Sequence, residues 1–480
     1  MSRLKKYLLI SRALLVTVTV GLAGATAPAP GGTRVGFFAP HGLPRSVVQR
    51  TDIGLVNAGS ASRLAENLAL MRGTAFKAYV DLGSIITEPR ALSKIGVRYS
   101  NGAGVVRTKH FMPQTPSYLR EFLDGEDLRS RLRPLMVVLA QHRANVGAVF
   151  LADEPYAHGI SKAELERAGQ VVRNLLDQRG LSSVKIGVIF ASGMFNRGFA
   201  HLINERAEAY VHGIDSYYAA RGAGSSREAF ASWVKTIETH RLVTYDGAGN
   251  MYVGGGLPKG FDIYGFDFYL STLLLDGTHE DTMSWLASRF PEGPCAQFSG
   301  ETVSEIRGKL SFFNDSKMLT GRKYKVSDRA ILDSLFRCRM SAVTAMLLTE
   351  KMLANDHADV LIVSESSNNG VLEFTSKGKA KSVQPEALVD DRILDEVNRA
   401  ERLYEDHPCL YSGGLLFFTY DDSFDKSIKL WVGGAHDVPK VMASIYAFVK
   451  KVKFYGTRSG CPDEVKMQRS DAPERDRASN

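Results

Sequence analysis

Only four cysteines and three tryptophans occur in 480 residues, and the way both are placed narrows the classes of protein available. Cys295, Cys338, Cys409 and Cys461 form no C-x-x-C pair. H-E-x-x-H is also missing, so the ligand spacings of a zinc site are not assembled and no metal or cofactor is expected. The glycines at 254–256 lack the strand, lysine and helix of a phosphate loop. Beyond the N-terminal region no run of about 18 apolar residues exists, so the body of the chain carries no candidate spanning helix. No internal repeat is evident. Basic residues outnumber acidic ones, 60 to 52, for a net charge of +8. They are scattered on predicted helices or gathered at the N-terminus, with no basic patch interleaved with aromatics. No nucleic-acid partner is expected.

What is present begins with an export pattern. Arg3, Lys5 and Lys6 precede an apolar stretch from Tyr7 to Val20, and Ala23-Gly24-Ala25 follows with the small residues of a cleavage site. Residues 1–25 are expected to be a secretory signal. Arg12 inside the stretch makes a retained anchor costly. The mature protein is therefore expected to be secreted or periplasmic, with no stable membrane contact. In an oxidising compartment four cysteines allow three pairings; the local one, Cys295 with Cys338 and Cys409 with Cys461, is expected. The charged, nearly aliphatic-free segment from Pro462 to Asn480 is expected to be a disordered tail.

Between these ends an apolar share of 44% and a charged share of 23% are ordinary for a folded domain. Eight short β-rich runs alternate with helical patterns: Arg34–Pro40, Asp52–Ala58, Phe76–Asp81, Gly147–Glu154, Val184–Ala191, Phe261–Tyr269, Asp359–Glu365 and Leu415–Tyr420. Most are apolar throughout, as strands covered on both faces must be. Eight βα units point to a (β/α)8 TIM barrel over residues 33–461, an α/β fold. Ser161 to Glu164 reads as a capping box opening a helix with Leu165, Ala168, Val172 and Leu175 on one face and Gly180 as its stop. Leu119–Arg143, Arg227–His240 and Val438–Val452 read as helices too, and Tyr210–Tyr218 as helical. Two connections are long, Leu82–Val146 and Leu270–Ala358, and insertions of this length commonly wall a barrel's active face.

Two of the runs end in glutamate. Glu154 closes Val149-Phe150-Leu151-Ala152-Asp153-Glu154-Pro155, and Glu365 closes Val360-Leu361-Ile362-Val363-Ser364-Glu365. Barrel enzymes keep their chemistry at the C-terminal ends of the strands, so two carboxyls are expected to meet across the mouth. Glycoside hydrolysis needs such a pair, one to protonate the leaving oxygen and one to attack or to activate water. Glutamates ending the fourth and seventh strands resemble those of clan A glycoside hydrolases, whose fourth-strand motif is Asn-Glu-Pro or a relative; here it stands as Asp153-Glu154-Pro155. That resemblance implies Glu154 as acid/base, Glu365 as nucleophile by the retaining route, and Tyr269 as a hydrogen-bond partner of the nucleophile. The chain departs from the family at Asp153, where the usual Asn contacts a sugar hydroxyl, and after the eighth strand, where Phe418 to Asp422 replace a stretch that often offers Trp.

Asp267 is the reserve carboxylate, able to support substrate hydroxyls. Asp81, Asp153 and His41 are candidate sugar contacts. Tyr156, Phe195, Tyr269 and Tyr420 lie at or after strand ends, where aromatic rings can stack on pyranose faces. Trp233, Trp285 and Trp431 fall elsewhere, which disfavours a Trp-paved cleft. The resulting expectation is an exported glycoside hydrolase acting on a polysaccharide or oligosaccharide. The alternatives are a carbohydrate-binding barrel without activity and an envelope assembly protein.

Overall fold

The computed structural model describes residues 34–89, 97–100, 106–109, 120–155, 158, 160, 162–191, 243–245, 251–253, 257–269, 295–298, 303–309, 326–367, 373–374, 380–381, 386–407, 410–425 and 430–455. Eight parallel strands close into one barrel. They are β1 (Val35–Ala39), β2 (Ile53–Asn57), β3 (Lys77–Asp81), β4 (Val146–Asp153), β5 (Lys185–Ala191), β6 (Ile263–Phe268), β7 (Asp359–Glu365) and β8 (Gly414–Phe418). Each pairs with its chain-order neighbour, and β8 returns to β1. This is the (β/α)8 architecture expected from the eight runs.

The apolar runs serve two cores because a pleated strand sends alternate side chains to opposite faces. Inside the barrel Ile53, Leu55, Tyr79, Ala148, Phe150, Ile189, Ile263, Leu361, Val363 and Leu416 pack together, with Phe38 and Phe418 against them. Outside, a larger core joins the other strand faces to the surrounding helices. These include α1 (Ala61–Met71), α2 (Gly125–Gln141), α3 (Lys162–Gln178), α4 (Val326–Ala354), α5 (Glu386–Asp406) and α6 (Pro439–Tyr455). Helix α3 shows how local chemistry sets an element's bounds. Leu165, Ala168, Val172 and Leu176 are its buried stripe, with Leu175 only partly buried at its edge. At its end Gly180 takes φ +67° and Leu181 N–H donates to the Leu176 carbonyl at 2.9 Å, a glycine-dependent stop.

One helix is shorter than the sequence pattern implied. Arg120–Phe122 is a strand, antiparallel to Thr87–Pro89, and α2 starts only at Gly125. Gly125 adopts φ +52°, which breaks helical register before it. The first insertion thus folds back on the barrel face: Arg120 Nε donates to Thr87 Oγ1 at 2.6 Å, and Arg120 N–H donates to the His158 carbonyl at 2.9 Å, in the turn after β4. In the second insertion Cys295 and Cys338 form a disulfide to α4, the pairing expected. Cys409, Cys461, the signal, the tail, Tyr156, Phe195, Arg227–His240 and Tyr210–Tyr218 contain or consist of residues outside those described. No helix among the described residues is long and apolar enough to cross a membrane.

The N-terminal end of the barrel is closed by paired charges. Asp359 meets Lys185 and lies 3.6 Å from Arg34, and Tyr79 donates its hydroxyl to the Gly413 carbonyl at 2.8 Å. Polar groups there have partners, as a stabilising floor requires.

Candidate functional site

At the other end the inward positions turn acidic. Tyr79 and Val363 both point into the barrel. Two residues past Tyr79, alternation gives Asp81 on β3, and two past Val363 it gives Glu365 on β7. On β6, Asp267 stands in register between Ala191 and Val363. Simple alternation from Phe150 would put Ala152 inward on β4. Instead a bulge sets Phe150 beside Gly187 but Asp153 beside the inward Ile189, so Ala152 packs outside and Asp153 faces the mouth.

Glu154 follows directly. It has φ +45°, the one non-glycine residue with positive φ among those described, and its N–H donates to the Ile189 carbonyl at 2.9 Å. Left-handed backbone in a residue with a Cβ is uncommon and concentrates at functional sites. The bulge and this turn together bring two consecutive carboxylates to the same end of the barrel.

Burial differs among the acids. Glu365 is 2% exposed and Asp267 7% exposed, Asp81 and Glu154 are half-buried, and Asp153 reaches solvent. Ser367 Oγ donates to Glu365 Oε1 at 3.4 Å. Gly83 N–H donates to Asp81 Oδ1 at 2.8 Å, and Asn57 Nδ2 to Asp81 Oδ2 at 3.4 Å. Even so, desolvation pushes the Asp81 carboxyl up to about 6, with the Gly83 amide and Arg120 opposing. Asp153 is held well above the usual carboxylate range, first by the loss of water around it, then by the charges of Glu154 and Asp81.

Tyr269, one residue past β6, ties the acids together. Its hydroxyl is kept neutral far above the usual phenol range, mainly by burial, and the carboxylates of Asp267, Asp153, Glu154 and Glu365 all act on it in the same direction. Its ring lies 5.6 Å from that of Phe418 at the end of β8, which packs 5.2 Å from Phe38. An aromatic wall therefore stands beside the acids.

Two expected contacts sit elsewhere. His41 is on the exposed rim, where its N–H donates to Asp421 Oδ2 at 3.1 Å and its ring lies 3.3 Å from Arg63. Tyr420 leans 5.4 Å from Phe37, a residue of the outer core, because the chain after β8 turns outward over β1, with Tyr420 N–H donating to the Phe38 carbonyl at 2.9 Å. Neither joins the carboxylates. On the same rim Asp422, His436 and Asp437 bring metal-ligating atoms within 4.8 Å of one another. Asp422 there accepts the Gly434 N–H at 2.9 Å and the His436 ring contacts the Tyr420 carbonyl at 3.0 Å, so local loop contacts account for the group.

No protein-family model matches the chain, and no curated protein does. Among solved structures, a β-glucosidase from Thermotoga maritima in complex with cyclophellitol aligns over 85% of this chain and 84% of its own, at 9% identity and a TM-score of 0.34. Endo-glycoceramidase II from Rhodococcus sp. covers 82% and 74% at 9% identity and TM-score 0.32. The virulence factor SghA, in complex with its substrate analog salicin, covers 87% and 96% at 9% identity and TM-score 0.36. The (β/α)8 assignment rests on the chain's own strand order, independent of these similarities.

Proposed function

We infer that this protein is a glycoside hydrolase that cleaves an O-glycosidic bond by retaining double displacement, with Glu154 as acid/base and Glu365 as nucleophile. The observation that carries this reading is that one closed barrel places Glu154 directly after β4 and Glu365 at the end of β7, at the C-terminal end where barrel enzymes keep their chemistry, with Asp267 in register beside Val363 between them. In the first step Glu365 attacks the anomeric carbon while Glu154 protonates the departing oxygen, releasing the leaving group and leaving a glycosyl ester on Glu365. In the second, Glu154 takes a proton from water, which displaces Glu365 and restores both groups. Tyr269 and Asp267 orient the nucleophile and the sugar hydroxyls, and Asp81 and Asp153 complete the wall. The Cys295–Cys338 disulfide supports work in an oxidising compartment outside the cytosol, where an exopolysaccharide or wall glycan is the substrate at hand.

The test is a panel of aryl glycosides and oligosaccharides, with the anomer of the first product read by NMR. Glu154→Gln is expected to lower kcat by roughly 10²–10⁴-fold on substrates with poor leaving groups, and Glu365→Gln to abolish turnover, with melting temperatures near wild type. Tight glycan binding without turnover in the wild type would overturn the hydrolase reading in favour of a binding barrel.

A further inference from the structure

The first insertion reaches the turn that carries Glu154, and each link in the path is a hydrogen bond. Glu154 leaves β4 with φ +45°. The backbone after it is held by His158, whose N–H donates to the Glu154 carbonyl at 3.2 Å and to that of Pro155 at 3.1 Å. The His158 carbonyl in turn accepts the Arg120 N–H at 2.9 Å. Arg120 lies on the short strand paired with Thr87–Pro89, and its side chain holds that partner at two points. Nε donates to Thr87 Oγ1 at 2.6 Å and Nη2 to the Thr87 carbonyl at 3.0 Å. Thr87 Oγ1 then donates to the Gly83 carbonyl at 2.6 Å, and Gly83 N–H to Asp81 Oδ1 at 2.8 Å. The path runs from the end of β3 to the turn after β4, with Arg120 at its middle.

A residue with a Cβ stays in the left-handed region only where its surroundings over-determine it. Glu154 is fixed on one side by its own N–H on the Ile189 carbonyl. On the other side the fastening is the His158 turn, and that turn is only as firm as what it is tied to. Any residue at 120 would supply the backbone N–H. A planar guanidinium adds a rigid fork that fits the hydroxyl and the carbonyl of one residue together, and buried Thr87 is a fixed anchor for it. The fork therefore sets the direction of the N–H that meets His158. The charge of Arg120 has a separate effect, since it opposes the burial of Asp81.

We propose that Arg120 is a positioning residue for Glu154, acting through the backbone of His158 and anchored by its guanidinium on Thr87. This rests on the glycosidase reading and adds to it a task for the first insertion. A misplaced acid is felt most where the departing oxygen is a strong base and needs its proton, so a positioning defect has a kinetic signature that a general loss of stability lacks.

The experiment compares the full-length wild type with Arg120→Ala, Arg120→Lys and Thr87→Val, each checked by circular dichroism. One readout is hydrogen exchange of peptides covering residues 153–160 and, as a control, of peptides from β5. The other is kcat/KM on phenyl and 2,4-dinitrophenyl glycosides of the sugar that the wild type cleaves. Arg120→Ala is expected to speed exchange in 153–160 but not in β5, and to lower kcat/KM on the phenyl glycoside by about tenfold or more. The dinitrophenyl glycoside, whose leaving group needs no proton, should stay within about twofold. Thr87→Val, which keeps the charge in place, is expected to split the two substrates in the same direction. Arg120→Lys keeps the charge and loses the fork, so it should resemble Arg120→Ala. Full recovery in Arg120→Lys would overturn the positioning role in favour of charge, and unchanged exchange in Arg120→Ala would overturn the tether. Equal losses on both glycosides would overturn action through Glu154 and leave the hydrolase reading standing. If the wild type cleaves no glycoside, the hydrolase reading and the catalytic part of this one fall together, and exchange alone decides the tether.

Discussion

Asp81 has neighbours on both carboxyl oxygens, yet burial still raises it to about 6 from an ordinary 3.8. Between those values the folded protein keeps a proton that the unfolded chain has lost, so the stabilisation present below about pH 4 is lost as pH rises through 6. Asp81→Asn cannot ionise and removes this dependence. The full shift corresponds to about 3 kcal/mol, but the new amide would face the Asn57 amide. A gain of about 1 kcal/mol at pH 7, closing by pH 4, is therefore expected in melts compared across that range. A gap independent of pH would mean that the charge of Asp81 is not what strains the site. The placement of Glu154 and Glu365 at the C-terminal end of the barrel was legible because each ends an apolar run. The inward aim of Asp153 was not, since alternation from Phe150 points to Ala152 and nothing in the residue types announces a bulge.

Strands β4 and β5 carry the mouth on an interlocked pair of residues. A Cβ added to Gly187 would meet the Phe150 ring at 2.5 Å, inside a barrel where Phe150 is 1% exposed. Gly187→Ala is expected to cost about 1–3 kcal/mol by overpacking, read from urea unfolding. It should also lower activity, because Phe150 occupies the inward position below Asp153. Adding Phe150→Leu is expected to recover part of both; failure to recover either would place the damage in the β5 backbone. Elements of this kind were readable from pattern, since all eight strands fall within about two residues of the apolar runs. One short strand that was not, Arg120–Phe122, pairs with Thr87–Pro89, far back along the chain, and such partners leave little local trace.

For the molecule as a whole, the second insertion is fastened by the Cys295–Cys338 bond across a separation of 43 residues. By loop-closure entropy a crosslink of that span stabilises by about 4 kcal/mol. Replacing both cysteines with serine is expected to lower the urea midpoint accordingly while the barrel still forms, as its strands close without that segment. A loss under about 1 kcal/mol would show that the unfolded chain gains little freedom when the bond is absent.

Strand number, the covered character of each strand and the residue types available for chemistry were determined along the chain, because burial on two faces demands uninterrupted apolar runs and those are local. Which carboxylates stand at the same end of the barrel was decided only in three dimensions. A one-residue bulge moves a side chain from one face to the other, closure brings β4, β6 and β7 around a common axis, and charges act through the space between them however far apart they lie in sequence.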